Sequence, residues 1–491
     1  MKVLVTGGTG VVGTATVSEL LRRGHEVRLF SRHAEEQQEA WCGKIEAWNG
    51  DVTRPDTIHG AADGCDAVLH ITGIVKEGEP PITFEEVNVK GTARLVEEAA
   101  RAGVSRFICI SSLGAERGSS EYHASKRSAE AHVREFPGQH HIVRLGNVYG
   151  PGDSVLSLLL RMVRVLPAVP VIDRGNDAFQ PIWHRDAAAA LARLVEGEIE
   201  DEVVSLAGPE QTTINEVLDE FARITDRSPP RIPLPSSIAD LGLRAATALG
   251  VDLPLSTASV RMLTEGSLIP PGTRNLLDRL QIKGTPIREG LEQLTSALPE
   301  VTPEQGVGPL KYHGFSAEIK EPHITAEHLF EMFRLNFGDF VPIEAQAEPG
   351  SPRVLELGTT LTLKLPLRGN IQVRVEKVAD GEITLATIAG HTFAGFVHFA
   401  FHQRDGGIRI EIDTYVRPST RVDQAAMLLG GELLQAHTWR ETAQRIIDAS
   451  GGRAPDGITQ VGENLDDMQA VHIERWARRT VMKRKRRQEN A

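Results

Sequence analysis

The stretch VLVTGGTGVVG at residues 3–13 constrains this chain more than any other. An apolar run ends in Gly7, Gly10 and Gly13, spaced three apart, and a second apolar run begins inside the glycines. This is the pattern of a strand turning tightly into a helix. In such a turn the first glycine permits the bend and the second lets the backbone approach a pyrophosphate. The third lets helix and strand pack closely, and the helix N-terminus attracts the anion. A glycine triplet alone is weak evidence, but here both flanks fit, so the pattern points to a nucleotide rather than to a merely structural turn.

The segments KVLVTG, HEVRLFSR, CDAVLHITG, RFICISS and HHIVRLGNVYG read as strands up to about residue 148. Between them lie amphipathic stretches such as TATVSELLRRG and FEEVNVKGTARLVEEAARAG. Alternation of this kind predicts an α/β fold, a doubly wound parallel sheet with helices on both faces. Residues 150–297 are more broken and Pro-rich and carry a helix around TINEVLDEFARITD, so they read as the substrate-side part of the same domain. LPEVTPEQGVGP, residues 298–309, reads as a linker.

Beyond the linker come a strand, one or two helices, and five runs with a period of two: TTLTLKLPL, IQVRVEKV, EITLATIAGH, GFVHFAFHQ and IRIEIDTYV. Turn signals ADGE and RDGG separate some of them, and a long amphipathic stretch follows over residues 423–449. Residues 310–450 are therefore expected to form an α+β domain, an antiparallel sheet with a long helix across it near Met427, Leu428, Leu433 and Leu434. Residues 451–491 read as a polar, basic C-terminal tail.

Composition narrows the function classes. A chain of 491 residues is too long for one ordinary core. Its net charge of -12 argues against nucleic acid as the main partner. No apolar run of about 18 residues suggests a membrane span, and no secretory signal precedes the first strand. Cys42, Cys65 and Cys109 are far apart, as expected of reduced thiols in a cytoplasmic protein. No histidine or cysteine pair has zinc spacing, and His398 and His402 would stand about 13 Å apart along a strand, so no metal is expected.

The second strand ends RLFSRH, with Ser31 and Arg32 and no carboxylate before Glu35. An NAD site usually places an acidic residue there, whereas a guanidinium suits a 2′-phosphate, so NADP is expected over NAD. Asp51 and Val52 follow the third strand, where a carboxylate can accept from an adenine amino group.

TGGTGVVG (6–13), GDV (50–52), NVKGT (88–92), YHASK (122–126) and RLGNVYGPGD (144–153) occur in that order. Together they resemble an extended or atypical short-chain dehydrogenase/reductase of the NAD-dependent epimerase/dehydratase type, with a Rossmann fold, over about residues 1–297. The resemblance implies hydride transfer between a nicotinamide and a carbonyl or alcohol of a small-molecule substrate. It makes Tyr122 the general acid/base, with Ser112 orienting the substrate oxygen and Ser111 as the alternate. Lys126, one helical turn from Tyr122, would lower the phenol pKa and hold the nicotinamide ribose. The cofactor residues it implies also include Thr9, Val11, Val12, Thr72, Gly73, Asn88, Asn147 and Val148. Asn88 would support the site by this resemblance, with a helix-packing role the close alternative. Two features depart from the family pattern: Thr72 and Gly73 stand where small apolar residues are common, and the stretch between Ser112 and Tyr122 is short. The competing reading is a non-catalytic dinucleotide-binding scaffold or sensor.

The segment TIAGHTFAGFVHFAFHQRDGGIRIEIDTYVRPST resembles an uncharacterised family with a START-type helix-grip fold. That resemblance implies a cavity for an apolar ligand, with Phe393, Phe396, Phe399 and Phe401 split between cavity and outer face or simply filling a core. A lipid, a partner or a second copy in a homo-oligomer are the occupants this leaves open.

Overall fold

The computed structural model describes residues 1–41, 43–200, 202–235, 237, 267–345, 348–350, 352–365, 369–427 and 432–489. Leu428 lies outside them, as do Cys42 and the side chains of Leu433 and Leu434. By internal contacts the chain divides into two compact units. The first comprises Met1–Leu159, Pro170–Glu220 and Arg231–Leu294, and the second Leu160–Val169, Phe221–Pro230 and Thr295–Ala491.

The first unit is built on seven parallel strands: β1 (Lys2–Thr6), β2 (Glu26–Ser31), β3 (Ile45–Asn49), β4 (Ala67–His70), β5 (Arg106–Ser112), β6 (Gln139–Leu145) and β7 (Val203–Leu206). Their spatial order is β7-β6-β5-β4-β1-β2-β3, so the order reverses between β1 and β4. That reversal opens a crevice at the strands' C-terminal ends. Alternation along β1 feeds two cores, with Val3 and Val5 on one face and Leu4 on the other. Helices α1 (Val11–Arg22) and α4 (His184–Glu196) cover the first face through Val17, Leu20, Ala187 and Leu191. Helices α2 (Gly91–Arg101) and α3 (Glu121–Arg134) cover the second, through Leu95, Val96 and Val133. The seventh strand comes from the Pro-rich region expected to form the substrate-side part of the domain.

In the second unit, eight strands form one antiparallel sheet. They are β8 (Lys311–Lys320), β9 (Glu344–Ala345), β10 (Thr360–Leu365), β11 (Gly369–Ala379), β12 (Glu382–Thr387), β13 (Phe393–Arg404), β14 (Gly407–Pro418) and β15 (Thr459–Asn464), in the order β9-β10-β11-β12-β13-β14-β8-β15. Each of the five alternating runs contributes one strand, β10 to β14. Helices α5 (Ala326–Leu335) and α6 (Glu432–Ala449) bury Leu329, Phe333, Ala443 and Ile446 against one face, beside Phe399 and Phe401. Phe396 turns to the other face and meets Trp476 with ring centroids 5.6 Å apart. The long helical stretch expected over residues 423–449 is described as two helices, Arg421–Ala426 and the 18-residue α6.

Two boundaries differ from the sequence reading. Leu160–Val169 goes with the second unit because buried Arg164 donates to Glu348 at 2.7 and 2.9 Å, to Gln372 at 2.8 Å and to the Thr295 carbonyl at 3.0 Å. The expected tail is ordered structure. β15 pairs with β8, and the 23-residue α7 (Asp467–Glu489) packs Ala477 and Val481 against Ala386 and Phe396. The basic residues hid one inward cation, Arg484, which donates to Glu376 at 2.9 Å and to Glu300 at 2.5 Å. Arg374 also binds Glu300, so two arginines and two glutamates neutralise one another beneath α7.

Candidate active site

The site begins at the turn between β1 and α1. Gly7 has φ +70°, and a Cβ on it would lie 2.7 Å from the Thr72 amide nitrogen. A Cβ on Gly13 would lie 2.1 Å from the Gly7 carbonyl oxygen. These two glycines are demanded by the fold itself. Gly10 is not: its φ is -81°, and the nearest atom to an added Cβ is 3.8 Å away. Gly10 also caps α1 without a side chain, so the first-turn amides of Val11, Val12 and Gly13 remain for an anion. An open cradle at a glycine that the fold does not need fits a dinucleotide's pyrophosphate. Thr9 is exposed on the same turn.

At the ends of β2 and β3 the structure places the residues expected to meet the adenosine half. Ser31 accepts from the His33 amide at 3.2 Å, and Arg32 is exposed, with no ion pair among the described residues. Asp51 accepts from the Thr53 amide and hydroxyl at 2.9 and 2.8 Å, which fixes its orientation. Val52 is buried, lying 3.1 Å from the position of a Cβ on Gly91, so its side chain packs under α2.

The catalytic candidates converge at the crevice. A cleft of about 300 Å³ is lined by Val12, Gly73, Ser112, Tyr122, Lys126, Asn147 and Val148, with Ser111 also reaching it. Ser111 is buried and donates to Glu130 at 2.7 Å, which leaves Ser112 as the hydroxyl that serves Tyr122. Lys126 is buried and donates to the Ile110 carbonyl at 3.0 Å, and burial lowers its pKa. A Cβ on Gly73 would lie 2.8 Å from the lysine Nζ. Gly73, a departure from the family pattern, thus leaves room for the ammonium. Asn88 is buried, and the chain itself takes up its amide: it accepts from the Ile74 amide at 2.8 Å and donates to the Ile74 carbonyl and to Ser125, both at 3.0 Å. It ties the loop after β4 to the Tyr122 helix.

One expectation is overturned. Lys126 does not lower the Tyr122 pKa here; burial pushes it up to about 12, opposed by a hydrogen bond with Ser112. Tyr122 is therefore a protonated acid throughout the physiological range.

Two residues escaped sequence reading. His70 is buried between Thr6, at 2.7 Å, and Thr92, at 3.0 Å, and burial lowers its pKa to about 3. It clasps β1, β4 and α2 as a neutral ring; a lone histidine in the apolar run AVLH was its only signal. His123 fills the short Ser112–Tyr122 loop, since a Cβ on Gly114 or Gly118 would lie 2.4 or 2.0 Å from its ring.

With this geometry in place, comparison with known proteins is informative. Residues 3–207 match the NAD dependent epimerase/dehydratase family. The chain is 34% identical to a ceramide reductase of Caulobacter vibrioides over 257 residues, covering 50% of this chain and 76% of the relative. The chain belongs to the NAD dependent epimerase/dehydratase family. It is accordingly an NAD(P)-dependent enzyme of the reductase, dehydrogenase or epimerase type. Within the family it is also 36% identical to a UDP-glucose 4-epimerase of Klebsiella pneumoniae over 126 residues, covering 23% of this chain and 89% of that sequence. It is 42% identical over 118 residues to a 3 beta-hydroxysteroid dehydrogenase/Delta 5-->4-isomerase of Mycobacterium tuberculosis, covering 23% of this chain and 31% of that one. Among the described residues no helix is long and apolar enough to cross a membrane.

The glycine geometry separates fold from ligand. Gly10→Ala is expected to leave thermal unfolding unchanged and to weaken dinucleotide binding at least about tenfold, because its Cβ enters only the ligand's space. Gly13→Ala is expected to lower the unfolding temperature, because its Cβ meets backbone. Calorimetric titration and thermal unfolding of both variants check this.

Proposed function

We propose that the first unit reduces a ketone on an apolar, lipid- or steroid-like molecule, and runs the reverse oxidation, with NADP(H) preferred. The carrying observation is a protonated Tyr122 beside Ser112 at a cleft whose other walls include Val75, Leu145, Val148, Val155 and Leu156. Lys126 is the one Lys or Arg lining that cleft among the described residues. A nucleotide sugar would bring a diphosphate and call for more cations. A ceramide reductase and a hydroxysteroid dehydrogenase among the relatives support the apolar choice.

When bound, the dinucleotide supplies the hydride. The chain's own residues do the rest. The glycine turn and the first-turn amides of α1 hold the pyrophosphate, and Lys126, fixed on the Ile110 carbonyl, faces the nicotinamide ribose. Ser112 orients the substrate oxygen, and Tyr122 passes its phenolic proton to that oxygen as it gains charge. The phenol is protonated at neutral pH, the state that a proton donor to the substrate oxygen needs.

Arg32 carries the cofactor preference in this reading. It is exposed at the end of β2 with no ion pair among the described residues, and a guanidinium fork matches a phosphate.

The second unit is, in this proposal, a helix-grip module for an apolar ligand, with catalysis assigned to the first unit. Support comes from a cavity of about 300 Å³ between sheet and α6, lined by Val373, Leu385, Val397, Met427 and Trp439. His391 also lines it. Its Nδ1 accepts from the Phe393 amide at 2.9 Å, and burial holds its pKa down to about 4. The neutral ring therefore carries its proton on Nε2, a donor suited to one oxygen on an otherwise apolar molecule. Free, buried Cys65 and Cys109 agree with a cytoplasmic setting.

Three outcomes test these readings. NADPH oxidation should be seen with long-chain or steroid ketones, no epimerisation of UDP-glucose should be seen with NAD, and Tyr122→Phe should slow the ketone reduction roughly 100-fold or more with cofactor binding retained; wild-type turnover in that variant refutes the assignment. Arg32→Ala should cost NADPH about 1.5–3 kcal/mol of binding and leave NADH unchanged; equal affinities in the wild type refute the preference. In the full-length Tyr122→Phe protein, 2-decanone should bind saturably at a site that Val397→Trp abolishes, and binding unaffected by Val397→Trp refutes the cavity.

A further inference from the structure

Helix α7 has two faces of different character. Inward, Ala470, Ala477 and Val481 are buried, Trp476 meets Phe396 and Tyr415, and Arg484 is paired with Glu376 and Glu300. Outward, Met468 is 84% exposed and Val471 51% exposed. Arg475, Arg479 and Lys483 follow, all exposed. Steps of three and four residues put these five on one stripe of the helix. Among the described residues none of the three cations has an ion pair, although Arg478 and Arg417 close by are paired with Glu304 and Glu474. The sequence then adds Lys485, Arg486 and Arg487.

Solubility does not call for such a stripe in a chain of net charge -12. A solvated helix face would mix signs and keep a methionine inside. We propose that this face of α7 docks the protein on an anionic lipid surface, with Arg475, Arg479 and Lys483 at the headgroups and Met468 and Val471 entering the interface. Unpaired cations followed along one face by exposed apolar side chains are the composition that lies in a charged membrane interface. Nucleic acid would use the cations alone and leave Met468 and Val471 in water. The inward anchor at Arg484 fixes which face the helix presents. The proposal is independent of the catalytic reading, since it is tested by binding and not by turnover.

The experiment is co-sedimentation of the full-length protein with vesicles of phosphatidylglycerol and phosphatidylcholine, and with phosphatidylcholine alone. Sedimentation with the anionic vesicles only, reversed by high salt, is expected. Replacing the three cations together by Arg475→Glu, Arg479→Glu and Lys483→Glu should weaken it at least about tenfold. Met468→Asp should weaken it as well. Thermal unfolding should stay at the wild-type value, because these side chains are exposed. If the charge-reversed protein fails to fold, the neutral set Arg475→Gln, Arg479→Gln and Lys483→Gln replaces it, with a smaller loss expected. No sedimentation with anionic vesicles, equal sedimentation with neutral ones, or indifference to the substitutions overturns the proposal. So does binding to duplex DNA, lost in the same variant, without any binding to vesicles.

Discussion

The near-contact of the glycine turn with the end of β4 governs the first unit. Gly7 and Gly13 let β1, α1 and the Thr72 backbone approach more closely than any Cβ would allow. That approach sets the crevice between β1 and β4, and the crevice decides where a dinucleotide can lie. Neutral His70 ties the same junction together through Thr6 and Thr92. A charged imidazole could not be held there, which is why burial drives its pKa so far down.

The catalytic helix is positioned by a second set of constraints with the same logic. Asn88 spends its amide on Ile74 and Ser125, and Lys126 spends one proton on the Ile110 carbonyl. Backbone from the loop after β4 and from β5 thereby orients α3, and the short loop before Tyr122 closes around the His123 ring. The result is a phenol whose pKa burial pushes up to about 12, hydrogen-bonded to a serine that is free of the Glu130 network.

In the second unit, shape comes from alternation and orientation comes from buried charge. Strands with a period of two sort Phe399 and Phe401 to the core under α5 and α6 and Phe396 to the face under α7. The bulge between Val375 and Lys377 accompanies the inward placement of Glu376, where burial and the charge of Glu300 push its pKa up to about 7. Arg374 and Arg484 are the counter-charges, and they make the register of α7 specific where apolar packing alone would tolerate slippage.

The sequence by itself determined the parallel sheet, the glycine turn, the Tyr122–Lys126 pair and the five strands of the meander. Each is a local signal: a period, a spacing, or a residue whose backbone freedom the turn requires. Only the tertiary structure showed that the alternate, Ser111, is taken up by Glu130, which is distant in sequence. It also reversed the expected Tyr122 shift, because spacing along a helix reports proximity to Lys126 but not the burial that outweighs it. It drew Leu160–Val169 into the second unit through Arg164 and turned the basic tail into a packed helix through Arg484. In both cases one arginine in a charged or amphipathic run has its partner far along the chain, and composition cannot say which cation faces inward.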